Sequence, residues 1–275
     1  MALDQEIDEI KDKEMSFFDH IDALRKHLIR GLFFVLGFTI LAFAYVREIF
    51  HNVVLGPLQT DFFTYRMLCN FSRKFYHSDE FCVSNLDYVL QNTQMAGQFM
   101  LSFRLSFLVG MILAMPFILW QVWLFIKPAL SMKERKKTRG FVFYTSVLFG
   151  LGILFGYYVL CPISINFFAH YSLSDLIKNE INMQNIISFM TLLVMGTGLI
   201  FELPVLMYFL AKIGLISSAF LIKYRKYAFV IILILAAIIT PPDIVSQIIL
   251  TIPLYSLFEL GIVIIKRVEK QKIIS

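Results

Sequence analysis

The sequence is poor in charge and in the residue patterns that carry out chemistry. Only 16% of its 275 residues are charged, and its five histidines and three cysteines are scattered without metal-ligand spacing. It has no phosphate-binding loop, no dinucleotide-binding glycine fingerprint and no GxSxG nucleophile elbow. These absences predict a protein that is not an enzyme, holds no cofactor or metal, and does not hydrolyse ATP.

Apolar surface, by contrast, is in excess. Hydrophobic residues make up 58% of the chain and 29 residues are phenylalanine, whereas a soluble domain is about 45–50% apolar and about 25% charged. A soluble fold could not bury so much apolar surface, so much of it must face lipid. The net charge of +5 is spread between the apolar runs, so no nucleic-acid partner is expected.

Apolar runs divide the chain into membrane spans, each needing roughly 20 residues at about 1.5 Å of rise per residue. The predicted spans are about 28–46, 105–126, 141–160, 186–211, 227–239 and 244–265. The run at 227–239 would reach only about 20 Å, against a hydrocarbon core of about 30 Å. It is predicted to span, and a re-entrant or interfacial segment is the alternative.

The basic residues orient these spans. With six spans, nineteen Lys and Arg fall on the side that holds both chain ends, and six fall on the other side. Because basic residues in short loops stay in the cytoplasm, both termini are predicted to be cytoplasmic. The predicted fold is all-α: a polytopic membrane protein with six transmembrane helices, one transmembrane domain over 1–275 and an external loop at 47–104.

The external loop carries two further signals. Its tail, residues 84–104, is predicted to be helical and to run into the second span, with Ser84 and Asp87 in capping-box spacing. Cys69 and Cys82 also lie in this loop, where the sequence is compatible with a disulfide and equally with two free thiols. Cys161 has no evident partner.

Three polar residues interrupt the later spans. Glu202 lies in the fourth span, where an ionisable group costs about 2.5–3.5 kcal/mol on insertion scales. It is therefore predicted to be functional, or else to be protonated and bonded to another helix. In the last span, Gln247 could join neighbouring helices, and Glu259 is close enough to the inner end to extend its carboxylate towards water.

One acidic residue stands out in the basic loop between the second and third spans. Glu134 is the only acid there among six Lys and Arg. With Ser131 it has the S-x-x-E spacing of a helix cap. Alternatively, its carboxylate could accept a guanidinium group through two hydrogen bonds.

Motifs along nearly the whole chain resemble one family, TatC, the multi-spanning subunit of the twin-arginine protein translocase. The segment DHIDALRKHLIR (19–30) resembles the family's H-L-x-E-L-R-x-R opening, and Pro57 in LGPL resembles its proline after the first span. AMPFILWQVWLFIKPALSMKERK (114–136) is similar to the family signature and is the most specific match. FELPV (201–205) and ITPPDIVSQIILTIPLYSLFELG (239–261) resemble the fourth span and the last hairpin.

The resemblance implies a receptor for twin-arginine signal peptides in the bacterial cytoplasmic membrane. TatC proteins bind these peptides on folded cargo from the cytoplasmic side, associate with TatA/TatB-type single-span subunits and with each other, and use the proton-motive force. The implied signal-binding residues are Glu134, Arg135, Arg25, Gln121, Phe125 and Pro116. The family's N-terminal glutamate aligns with Ala23, so we hypothesise that Asp22 or Asp19 supplies that carboxylate.

The resemblance also assigns polar residues to partner contacts within the membrane. Thr240, Asp243 and Gln247 match the outer end of the last hairpin, where partner helices are expected to dock, and Glu202 matches the family's fourth-span acid. The short fifth span suggests a further hypothesis, that it thins the bilayer locally and eases the passage of a folded protein.

Two other functions are compatible with parts of the sequence. A proton-coupled small-solute secondary transporter would use Glu202, but the inverted repeats and broken helices common in such proteins are not evident. A passive membrane scaffold would not need an ionisable group at position 202.

Overall fold

The structure, a computed structural model, describes residues 17–75, 77, 82–83, 89–127, 140–174, 180–240 and 243–274, with the backbone alone for 17–20, 75 and 271–274. Within these ranges the helices, in chain order, are α1 (Phe17–Ala44), α2 (Val46–Ile49), α3 (Phe63–Phe75), α4 (Gly97–Ile126), α5 (Phe141–Phe155), α6 (Cys161–His170), α7 (Met183–Phe201), α8 (Leu203–Lys212), α9 (Ser218–Lys223), α10 (Arg225–Ile239) and α11 (Ile244–Ile274). Wider π-helical turns cover Phe50–Val54 and Gly156–Leu160, and a 3₁₀ turn covers Gly56–Leu58.

Two short strands are the exception to a helical fold. β1 (Val89–Gln91) and β2 (Glu180–Asn182) pair in parallel, with Val89 opposite Glu180. The described chain is otherwise built of helices and turns, so the all-α prediction is confirmed.

Five helical stretches in the described ranges are long and apolar enough to cross a membrane, judged by length and composition. They are Ile21–Ala44, Gly97–Ile126, Phe141–His170, Met183–Lys212 and Ile244–Lys270. The fifth predicted span, 227–239, corresponds to α10, whose 15 residues rise only about 22 Å. The count of six spans and the cytoplasmic position of both termini therefore stay predictions.

Several helices extend beyond the apolar runs that mark them in the sequence. α4 begins eight residues before the predicted span, and α11 continues to Ile274. Hydropathy detects only the part of a helix that contacts lipid, whereas backbone hydrogen bonds continue a helix into the aqueous phase. Span boundaries and helix boundaries are thus different quantities.

The predicted helix at 84–104 is wrong for residues 89–96 and right from Gly97 onward; residues 84–88, with the proposed cap, lie outside the described residues. β1 is held by distant contacts instead, because Asn182 Nδ2 donates to Thr93 Oγ1 at 2.9 Å and Gln184 Nε2 donates to Gln94 Oε1 at 2.9 Å. These partners lie about 90 residues away in sequence, so a local pattern could not reveal them.

The chain divides into two compact units, and the boundaries fall inside α2, α4 and α5. The first unit comprises residues 17–46 and 103–147, and the second comprises 47–102 and 148–274, each with the gaps given above. The predicted single transmembrane domain over 1–275 stays a prediction.

The second unit has a closely packed core. Its fully buried side chains include Leu160, Leu193, Leu250, Leu254, Ile262 and Ile265. The α5 and α7 backbones meet at glycine, because a Cβ atom at Gly152 would lie 2.8 Å from the Cα atom of Gly198. Thr197 Oγ1 donates to the Gly152 carbonyl at 2.9 Å. Small residues and hydrogen bonds of this kind hold helices together in lipid, where apolar surface alone gives no preference.

Candidate functional site

α1 and α4 form an antiparallel pair that positions the candidate site in the first unit. A Cβ atom at Gly110 would lie 2.7 Å from the Thr39 Cα atom, so only glycine allows this approach. Nearer the site, the rings of Phe34 and Phe117 stack with centroids 4.7 Å apart. This packing brings the beginning of α1 beside the end of α4.

A hydrogen bond joins the two helices at that end. The His27 Nδ1 and Gln121 Oε1 atoms lie 2.7 Å apart, and the His27 ring meets Phe125 edge-on at 6.5 Å between centroids. The sequence singled out Gln121 and Phe125 but missed His27. Its helical register was the available signal, because His27 shares a face with Leu24 and Gly31.

An apolar groove of about 260 Å³ lies along this contact. Leu24, His27, Leu28, Gly31, Leu32, Val35, Ile118, Gln121, Val122 and Phe125 line it. The polar His27–Gln121 pair stands in a wall that is otherwise aliphatic or aromatic. The groove can therefore hold an apolar chain while offering one polar contact.

The acidic candidates on α1 differ in what the structure describes. Asp22 and Arg25 are exposed side chains in the first turns of α1, on either side of Leu24, where the groove begins. Asp19 lies in α1, but only its backbone is described. Pro116 lies within α4, is exposed and is not among the residues that line the groove.

Glu134 and Arg135 lie outside the described residues. The described chain stops at Lys127, directly after α4, and resumes at Gly140. In the sequence, the segment that contains both residues begins after Lys127, which is two residues beyond the groove residue Phe125.

The three hairpin residues mostly serve the hairpin itself. Thr240 and Asp243 are buried; Thr240 Oγ1 donates to the Ala236 carbonyl at 2.9 Å, and Asp243 Oδ2 accepts the Ser246 N–H at 2.6 Å. Gln247 Nε2 donates to the Leu233 carbonyl of α10 at 3.2 Å. Gln247 thus joins the two helices of the hairpin, as its position in the span predicted.

Glu202 lies at the break between α7 and α8. It forms the turn between Phe201 and Leu203, and Pro204 follows in the first turn of α8. Both carboxyl oxygens are buried, and neither has a hydrogen-bond partner among the described residues. A buried polar group without a partner is costly, so this carboxyl needs a proton, a water molecule or a polar group outside the described residues.

Glu259 forms an ion pair between helices. Its Oε2 atom lies 2.6 Å from Arg225 Nη2, at the first residue of α10. That the carboxylate also extends towards water stays a prediction. Arg225 was not singled out in the sequence, because it is one of several basic residues in that loop.

Comparisons with known proteins bear on the whole chain. A family model described as "Sec-independent protein translocase protein (TatC)" matches residues 19–253. The TatC protein of Blattabacterium sp. subsp. Periplaneta americana is 42% identical over 262 residues, covering 94% of this chain and 98% of that protein. The TatC protein of Helicobacter pylori strain J99 is 48% identical over 170 residues, covering 62% and 68%.

A solved structure agrees with these matches. The crystal structure of the twin-arginine translocase receptor TatC in DDM superposes with a TM-score of 0.69 at 29% identity. It covers 90% of this chain, and the match includes 99% of that structure. The resemblance drawn from the sequence motifs is confirmed.

Proposed function

The chain belongs to the TatC family of Sec-independent protein translocase proteins, and from this premise we propose that it is the signal-receiving subunit of a twin-arginine translocase. It is a multi-pass membrane protein, which we place in a bacterial cytoplasmic membrane with both termini in the cytoplasm. There it binds the twin-arginine signal peptides of folded cargo, associates with itself, and organises TatA/TatB-type single-span subunits for export driven by the proton-motive force.

The groove between α1 and α4 is the observation that carries this proposal. A signal peptide presents cationic residues followed by an apolar stretch. The groove offers an apolar wall for that stretch, with the exposed Asp22 just before it and the Glu134 segment directly after α4. A site with this order of chemistry suits a peptide whose arginines stay at the cytoplasmic end of the groove while its apolar stretch lies along the groove.

Carboxylates are the natural acceptors for the paired guanidinium groups. A carboxylate can accept two parallel N–H bonds from one guanidinium, a geometry that an ammonium group cannot match. We assign one arginine to Glu134 and the other to Asp22 or Asp19, since Ala23 lacks a carboxylate. Arg25, Arg135 and Pro116 are included in the site from the family resemblance alone.

The hairpin of α10 and α11 is the proposed dock for single-span partners. Ile244, Val245 and Ile248 are exposed on α11 and flank the polar set of Thr240, Asp243 and Gln247. A partner helix would pack on these apolar residues and offer a polar side chain to this set or to Glu202, because polar groups in lipid need partners.

A small-solute transporter is not favoured, because the matched relatives are protein translocase proteins. A transporter function would rest on Glu202 alone. A protein translocase could use the same carboxyl, which has no hydrogen-bond partner among the described residues. We therefore keep a single proposed function.

Photo-crosslinking of a twin-arginine peptide to the full chain in nanodiscs tests the proposal. We expect Glu134→Ala to lower the yield about tenfold or more, because a hydrogen bond to a charged group is worth about 1.5–3 kcal/mol. Glu48→Ala, which removes an exposed acid from α2, is the matched control and should leave the yield unchanged. Equal yields for both variants would overturn the assignment of Glu134.

A further inference from the structure

α3 exposes an apolar stripe along one face. Phe63, Met67 and Phe71 follow at intervals of four residues, which places them on one side of the helix. Their exposed fractions are 57%, 62% and 53%. An exposed apolar face of this kind on a helix outside the predicted spans is suited to an apolar surface.

The opposite face of α3 is fixed, so the stripe cannot turn inward. Tyr65 is buried, and its hydroxyl donates to the carbonyls of Pro57 at 3.1 Å and Pro162 at 2.8 Å. Cys69 forms a disulfide with Cys82. Hydrogen bonds and a covalent bond together hold the orientation of the helix.

Basic residues flank the stripe. Arg66 and Arg73 are exposed and lie seven residues apart, which aligns them along one edge, and Lys74 is exposed near the end of the helix. Arg66 lies 3.6 Å from Asp61, but both side chains are largely exposed, so this pair is weak. α3 thus combines an apolar stripe with an adjoining basic edge, the pattern of helices that lie in a membrane interface.

The depth of α3 follows from its contacts with the span Phe141–His170. Arg139 precedes that span in the sequence, and a hydrocarbon core of about 30 Å needs 20 helical residues, which ends it near Leu160 or later. Thr64 donates to the carbonyl of Tyr158, and Tyr65 donates to that of Pro162. The first turn of α3 therefore lies at the boundary of the hydrocarbon core or inside it.

Aromatic residues lie at the same depth along the spans. The rings of Phe63 and Tyr158 meet edge-on at 6.2 Å, and Phe62 stacks on Tyr158 at 5.6 Å. Tyrosine rings gather where the hydrocarbon meets the headgroups, because they are apolar with a polar tip. The cluster agrees with the depth obtained by counting residues.

We propose that this face of α3 docks onto anionic phospholipids in the leaflet at this end of the spans. Phe63, Met67 and Phe71 enter the acyl boundary, while Arg66, Arg73 and Lys74 contact lipid phosphates. The external loop is thereby held at the membrane surface by lipid as well as by its own bonds.

Quenching of tryptophan fluorescence by brominated lipids tests this proposal. The full chain, with its native tryptophans replaced by Trp120→Phe and Trp123→Phe, would carry Met67→Trp and be placed in nanodiscs with brominated phosphatidylglycerol. Met95→Trp is the matched control, because Met95 is also an exposed external methionine but lies off α3. We expect quenching at position 67 to be at least threefold stronger than at position 95. Equal quenching would overturn the proposal and point to a protein partner for the stripe.

The basic edge is tested by lipid charge. Brominated phosphatidylglycerol should quench the tryptophan at position 67 about twice as strongly as brominated phosphatidylcholine in mixed nanodiscs. Adding Arg66→Glu and Lys74→Glu should remove that preference while quenching by phosphatidylcholine stays. A preference that is absent from the start, or that survives both substitutions, would overturn the role of the basic residues.

Discussion

The first two spans and the three later ones differ in how much of them protein covers. In Ile21–Ala44 and Gly97–Ile126, 17% of the most apolar 18-residue window is buried, whereas in the three later spans 44% is. The first two leave most of their surface for lipid or for partners. The later spans form a core around residues such as Leu193 and Leu254, which are almost fully buried.

This difference suggests that the two groups of spans have different functions. The groove with His27 and Gln121 lies in the lightly covered pair, where a peptide can reach the helices without displacing a packed core. The core instead holds Glu202 in a fixed position, with both oxygens lacking a partner among the described residues. If the groove binds the peptide as proposed, recognition takes place on lightly covered helices, whereas the costly carboxyl belongs to the more buried spans.

The largest expected effect comes from filling the glycine contact in the packed core. In Gly152→Leu the new side chain would start 2.8 Å from the backbone of Gly198, and backbone cannot yield cheaply. Overpacking costs about 1–3 kcal/mol and occasionally more, so we expect Tm to fall by about 10 °C in a detergent melt. Gly150→Leu and Gly37→Leu, at glycines with open space around them, should change Tm little. Equal changes in Tm for all three variants would contradict the difference in packing between the two regions.

Replacing the buried acid should separate stability from function. Glu202→Leu removes a buried carboxyl that has no hydrogen-bond partner in the described part of the chain; such burial costs about 1–3 kcal/mol, so we expect a higher Tm together with loss of cargo export. Glu202→Gln should keep export within about threefold, because an amide can still bond to a polar residue of a partner helix. If the glutamine variant exports as poorly as the leucine variant, the carboxyl is needed for its proton instead.

Lengthening the short helix of the second unit should lower export about tenfold. Four leucines inserted after Val230 would add about 6 Å to α10 and remove its mismatch with the bilayer. Replacing four exposed residues, Val230, Ile231, Ile234 and Ile238, by leucine keeps the length and serves as the control. The measurement is the amount of folded twin-arginine cargo outside the cytoplasm. Normal export with the longer helix would contradict the thinning hypothesis.

The smallest effect is expected at the groove. His27→Phe keeps a ring against Phe125 but loses the bond to Gln121, which is worth about 1 kcal/mol. We expect signal-peptide affinity to fall about fivefold by fluorescence titration, because the groove loses its polar contact for the peptide, and Tm to fall by only about 2–4 °C, because one hydrogen bond within the chain is lost. His27→Asn retains a donor and should restore most of the affinity. A Tm shift as large as that of Gly152→Leu would show that His27 serves the fold instead.

The sequence predicted most of what depends on apolar runs and chain order. α5 starts at Phe141, α11 starts at Ile244 and α4 ends at Ile126, each at the predicted boundary of its apolar run. Water or a break in hydropathy ends the lipid-facing pattern at these boundaries. The β1–β2 pair and the Arg225–Glu259 bond were not predicted. Both join residues far apart in sequence, and a single sequence carries no record of which distant residues meet.

The candidate site was predicted only in part, again because a single sequence does not show which distant residues meet. Family motifs pointed to Gln121 and Phe125, which do line the groove, but no motif pointed to His27. The motifs also grouped Thr240 and Asp243 as partner contacts; both are buried and each bonds within the hairpin, so contact with a partner stays a prediction. A motif records which residues matter and leaves open whether they act on a partner or on the fold.

A photoreactive residue in the groove tests the central claim most directly. The chain would carry p-benzoylphenylalanine at Val122, which lines the groove, or at Leu113, which is equally exposed on α4 but lies off the groove. The groove assignment predicts a strong crosslink from position 122 to a twin-arginine peptide, a weak one to the same peptide with two lysines, and background from position 113. Equal yields from the two positions, or equal yields with arginines and lysines, would contradict it.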